Sequence, residues 1–98
     1  MDAQPSSYVD IDECDVLCLL GHNPAETGTI LWDRMLDRLE SETPPKLVCI
    51  DTRYTPVAAK ATIWLQPKNG TNMALMNGIQ RELVKNGWYD QAYIDRVC

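Results

Sequence analysis

The chain has 98 residues, 45% of them hydrophobic and 23% charged, with a net charge of −5 at pH 7. That length supports one compact core with little stability to spare, and the composition is that of an ordinary folded protein rather than a disordered one. Scattered basic residues on an acidic chain argue against nucleic acid as a partner, no apolar run approaches the ~20 residues of a membrane span, and Met1 to Pro5 lacks a signal-peptide pattern.

Residues 1–9 are polar, with Pro5, Ser6 and Ser7, and read as a flexible arm; residues 10–98 read as a single α/β domain. Asp10, Asp12, Glu13 and Asp15 surround Ile11 and Cys14 and suit a short helical turn with a solvated face. The run Val16-Leu17-Cys18-Leu19-Leu20 does not alternate polar with apolar, so it is expected to be a strand buried on both faces, as in a parallel sheet. Gly21-His22-Asn23-Pro24-Ala25-Glu26-Thr27 follows directly. A glycine turn between a strand and a helix start aims unpaired N–H groups at one point, which favours anionic oxygens such as a phosphate.

A helix is expected over Thr29 to Glu40, with Leu31, Trp32, Met35, Leu36 and Leu39 on one stripe and Thr27 or Thr29 as its cap. Thr43-Pro44-Pro45 stops it, and Leu47-Val48-Cys49-Ile50 supplies a second buried strand that completes a βαβ unit. One helical turn around Pro56 to Lys60 leads to a third strand, Ala61 to Leu65. Gly70-Thr71-Asn72 opens a helix running to about Lys85, with Leu75, Ile79 and Leu83 at helical spacing and Asn86-Gly87 as a left-handed stop. Gly78 inside it calls for close backbone packing. Asp90 caps a last helix carrying Tyr93, Ile94 and Val97. The expected architecture is a three-stranded, mainly parallel α/β sheet with flanking helices, Rossmann-like in plan.

In open parallel sheets ligands settle outside the carboxyl ends of the strands, where the loops starting at Gly21, Asp51 and Pro67 are expected to lie. Gly21 permits the tight turn, Asn23 offers both a donor and an acceptor, and Pro24 stiffens the loop. Asp51 stands where a dinucleotide fold puts the carboxylate that accepts from ribose or base, and equally where a turn over Thr52 to Thr55 needs a cap. Arg53 suits a purine face or a phosphate and equally a plain surface position. His22 and Glu26 form a weak acid–base pair with no nucleophile beside them. The closest cysteine spacing, Cys14 to Cys18, is C-x3-C rather than the tight pair of zinc or iron–sulfur sites, so the four cysteines are expected to be reduced, in a cytoplasmic setting, and no metal is expected.

The ordered set Gly21-His22-Asn23-Pro24-Ala25-Glu26-Thr27, Asp51-Thr52-Arg53-Tyr54-Thr55 and Gly70-Thr71-Asn72-Met73-Ala74-Leu75-Met76-Asn77-Gly78 resembles the molybdopterin oxidoreductase family, which includes nitrate reductases and formate dehydrogenases. The likeness runs from Asp10 to Val97 and includes the closing Gly87-Trp88-Tyr89-Asp90. It implies an internal domain of a larger catalytic subunit that holds the guanosine end of molybdopterin guanine dinucleotide, with the remaining domains of that subunit as partners. Gly21, Asn23 and Glu26 would match the loop near the nucleotide phosphates, Asp51 and Arg53 the guanosine contacts, and Gly70, Thr71 and Asn72 a second guanosine loop. The fragment itself would need no cofactor to fold and would position the cofactor without catalysing alone. Thr52 stands where the family usually has a proline, and Asn72 where it usually has an aspartate. Two rival readings are a stand-alone Rossmann-like module for another nucleotide or a protein partner, without the G-x-G-x-x-G of NAD sites, and a fragment that folds and binds nothing.

Overall fold

In a computed structural model, residues 7–98 are described; the arm expected over residues 1–9 lies mostly outside them. The chain forms two compact units that meet in sequence between Gln66 and Pro67. The first contains α1 (Asp10–Glu13), β1 (Val16–Leu20), α2 (Pro24–Thr27), α3 (Thr29–Leu39), β2 (Lys46–Ile50), α4 (Pro56–Lys60) and β3 (Ile63–Leu65). The second contains α5 (Asn72–Lys85) and α6 (Gln91–Val97).

The three strands pair in parallel in the order β1-β2-β3. Their register sets Leu17 beside Leu47, Leu19 beside Cys49, and Cys49 beside Trp64 on one face. That face meets Trp32 and Met35 of α3 and Val57 and Ala58 of α4, and together these side chains form the core. Leu31, Leu36 and Leu39 complete the α3 stripe in partly buried positions, so the helical periodicity in the sequence reports the packing face. Arg34 reaches from α3 to a bidentate pair with Asp12 of α1, and that hydrogen bond, at an exposed site, lowers the Asp12 carboxyl from its usual range.

The other sheet face meets the expectation of two-sided burial only in the central strand, where Ile50 is buried. Val16 is 52% exposed, and Leu20 and Ile63 are each 48% exposed, with Cys18 exposed between them. A run without polar alternation reports that both faces are apolar; among the described residues, helices cover one of them. The cap of α3 also differs from expectation. Gly28 occupies the N-cap and has no side chain to cap with, while the Thr27 hydroxyl donates to the Asn23 carbonyl at 3.0 Å.

In the second unit α5 ends as its sequence dictates. Gly87 takes φ +67°, its N–H donates to Val84 O at 3.1 Å, and Trp88 N–H donates to Leu83 O at 2.9 Å. This is a Schellman stop, which needs the left-handed conformation that glycine adopts without a Cβ penalty. Asp90 caps α6 by accepting from Tyr93 N–H at 2.9 Å. No residue of α5 or α6 is buried. A Cβ at Gly78 would meet nothing within 4 Å among the described residues. All four cysteines are free thiols.

Candidate functional site

Parallel pairing puts the carboxyl ends of β1, β2 and β3 on one edge, so the loops after Leu20 and Ile50 leave the sheet side by side. Gly21, at φ +59°, turns the chain while its N–H donates to Ile50 O at 2.8 Å. That bond fastens the start of the first loop to the end of the second strand. Two residues later Asn23 opens α2, with Pro24 at the first helical position. Proline suits that place because its fixed φ is already helical and its missing N–H would have no partner there.

Asn23 is the unusual residue. Its carbonyl accepts from the N–H groups of Glu26 and Thr27 at 3.1 and 3.2 Å, so the carbonyl is committed to the first turn of α2. Its side chain is buried, with 7% exposure, yet neither the amide nitrogen nor the amide oxygen has a hydrogen-bond partner. Burying an amide in this state costs about 1–3 kcal/mol relative to a paired one. Around it, Gly21 N–H is spent on the sheet and those of Glu26, Thr27 and Gly28 on α2. The N–H groups of His22, Asn23 and Ala25 donate to no acceptor among the described residues. The loop therefore leaves three backbone N–H groups and both polar atoms of the buried Asn23 amide without partners among the described residues.

The second loop is more tightly built. Asp51 continues the ladder by donating its N–H to Leu65 O at 3.2 Å, and its carboxylate accepts from Arg53 N–H at 2.8 Å through Oδ1. This is the turn-capping role weighed for Asp51 in the sequence, and it leaves Oδ2 without a partner among the described residues. The Arg53 guanidinium is exposed and makes no hydrogen bond among the described residues. Trp64 of β3 and Gln66 just beyond it hold the carbonyls of Asp51 and Thr52; neither residue was singled out for the site from the sequence. Thr55 likewise went unnoticed, although a threonine followed by proline is a helix-start signal: buried, it caps α4 by accepting from Ala58 N–H at 3.2 Å.

Glu26 and His22 are exposed, and no hydrogen bond joins them, so the structure gives no support to acid–base chemistry by this pair. Gly70, Thr71 and Asn72 belong to the second unit. There Gly70 takes φ +82°, and Thr71 closes the turn by donating its N–H and its hydroxyl to Lys68 O at 3.1 and 2.7 Å. α5 begins at Asn72 with no side-chain hydrogen bond on its first N–H groups. No cluster of metal-ligating side chains is found among the described residues.

With this geometry in place, the comparisons with known proteins decide the family. Residues 3–94 match the molybdopterin oxidoreductase family. The chain belongs to that family. It is 36% identical over 92 residues to the F420-dependent formate dehydrogenase 1 subunit alpha of Methanococcus maripaludis, covering 94% of this chain and 13% of that protein. A putative dimethyl sulfoxide reductase chain of Escherichia coli is 34% identical over 98 residues, covering 95% and 12%. A nitrate reductase of Symbiobacterium thermophilum is 31% identical over 87 residues, covering 89% and 12%. The chain therefore spans about an eighth of the length of these relatives, and a molybdenum–pterin cofactor is the group the family implies. No helix among the described residues is long and apolar enough to cross a membrane.

Proposed function

We propose that this molybdopterin oxidoreductase segment holds the guanine dinucleotide end of the cofactor in a larger, molybdenum-dependent oxidoreductase of the nitrate reductase or formate dehydrogenase kind. Redox chemistry is supplied by the cofactor's metal when bound; the residues of this chain bind and orient. The Gly21–Thr27 loop receives the phosphates, with the N–H groups of His22, Asn23 and Ala25 and the Asn23 amide as donors, Gly21 allowing the turn, and Glu26 at its rim. Asp51 Oδ2 accepts from the ribose, and Arg53 lies against the base or a phosphate. Gly70, Thr71 and Asn72 form the second guanosine loop of the proposal on the strength of the family resemblance alone.

The observation that carries this reading is the Asn23 side chain, buried with both polar atoms unpartnered. A fold does not keep such a group for its own stability, whereas a ligand that accepts from the amide nitrogen would satisfy it. The stand-alone module draws no support from the relatives, which carry oxidoreductase names and extend far beyond the matched stretch. In our reading the open sheet face around Val16, Leu20 and Ile63 and the uncovered stripe of α5 pack against the remaining domains of the parent subunit. The Rossmann-like description and a reducing cytoplasmic setting, which suits four free thiols, belong to the same proposal.

Calorimetry and thermal unfolding test it together. The chain should bind GDP in preference to NAD, and Asn23→Ala should weaken GDP binding at least tenfold while leaving the unfolding midpoint unchanged or higher, because it removes an unpaired buried amide. Preference for NAD, or an Asn23→Ala variant that binds GDP as well as the parent chain does, would overturn the assignment.

A further inference from the structure

Residues 51–53 lack any rigid residue of their own, yet their backbone is held on three sides by β3 and its extension. Asp51 N–H donates to Leu65 O at 3.2 Å. Trp64 Nε1–H donates to the Asp51 carbonyl at 3.1 Å, and Gln66 Nε2–H donates to the Thr52 carbonyl at 2.9 Å. Arg53 N–H then closes onto Asp51 Oδ1 at 2.8 Å. Two consecutive carbonyls of the turn are thus occupied by side chains of β3 and of the residue that follows it. Tyr54 sets its ring edge-on to Trp64, with centroids 5.0 Å apart, and covers the indole that makes one of these bonds. What the turn leaves free is Asp51 Oδ2 and the Arg53 guanidinium, the two groups to which the proposed function gives a ligand.

Trp64 and Gln66 differ in how much else they do. Trp64 packs against the core, so its loss disturbs folding as well as the turn. Gln66 is exposed and has a single hydrogen bond to protein, the one to Thr52 O. A solvent-exposed glutamine that spends its amide on a loop carbonyl contributes little to global stability, and its effect falls on the loop.

We propose that Gln66, with Trp64 behind it, is a positioning residue that latches the Asp51–Arg53 turn and so presents Asp51 Oδ2 and Arg53 to the nucleotide. The latch does for this turn what a locked backbone dihedral would do. Without it, residues 51–53 sample several conformations, and binding carries the entropy of ordering them. This inference rests on the nucleotide-binding reading above, but the ordering of the turn is measurable with no ligand present.

The test uses three forms of the chain: unmodified, Gln66→Ala, and Gln66→Ala with Thr52→Pro. Thr52 has a negative φ, and its N–H donates to no acceptor among the described residues, so proline at this position removes no hydrogen bond, and its ring restricts the backbone of the turn. Gln66→Ala should leave the thermal midpoint unchanged, speed hydrogen exchange of the Arg53 amide, and weaken GDP binding by about threefold to tenfold, the range expected for one hydrogen bond. Adding Thr52→Pro should recover most of both losses. Unaltered Arg53 exchange in Gln66→Ala would overturn the latch. Faster exchange with unchanged GDP affinity would leave an ordered turn with no role in binding and overturn its positioning role. If the unmodified chain binds no GDP, the nucleotide reading fails, and the exchange data still decide whether the latch exists.

Discussion

Asn23 and Cys49 are both buried, and they differ in whether the fold accounts for them. Cys49, 1% exposed, is a small hydrophobe in the sheet core, and its thiol is pushed up from an ordinary value of 9.0, first by burial and then by the Asp51 carboxylate. The unfolded chain releases this proton at a lower pH than the folded one, so the contribution is intact below pH 9.0 and is lost as pH rises through and above it. The same burial makes a prediction about reactivity. Iodoacetamide at mildly alkaline pH should modify Cys18 and Cys98, which are exposed, and spare Cys49 until the chain unfolds. Peptide mass mapping checks this, and modification of Cys49 at the rate of Cys18 would show that the first unit opens far more readily than its packing implies. Asn23 has no such structural account: packing explains where its chain runs, but not why an amide stands there.

At the scale of elements, most of the chain was legible because periodicity and stop signals are local properties. Leu31, Trp32, Met35, Leu36 and Leu39 defined α3, Asn86-Gly87 ended α5, and the acidic turn before β1 and the single turn at α4 were read close to their observed limits. Less legible were features in which a side chain chooses between neighbours. Thr27 bonds backward to Asn23 O rather than capping α3, and α2 was concealed inside a loop although the Asn23-Pro24 pair is a start signal. The strands depend on one another most heavily. Leu47 is fully buried in the central strand, between Leu17 and the helices, and Leu47→Ala should cost about 2–5 kcal/mol. Against a total of roughly 5–15 kcal/mol for a chain of this size, urea unfolding should show the first unit near or past its limit. A loss below about 1 kcal/mol would mean that the site collapses around the smaller side chain.

For the whole molecule, sequence alone located the loops at the sheet edge but not which faces would be covered. An apolar run states that a strand is fit for burial on both sides, not what covers each side. Here Val16, Leu20 and Ile63 of the edge strands are exposed and no residue of α5 is buried, in a chain that spans 12–13% of the relatives it matches. The candidate site was legible to the same degree. Residue types at 21, 23, 51 and 53 were visible, while the unpaired state of the Asn23 amide and the latch from Gln66 exist only in three dimensions. The central claim, that the Asn23 amide waits for a nucleotide, is tested most directly by following its own side-chain NH2 resonances in a 15N-labelled chain during titration with GDP. Our account predicts that this pair shifts and becomes protected from exchange in step with binding. Resonances that stay in place while GDP saturates the chain would contradict it.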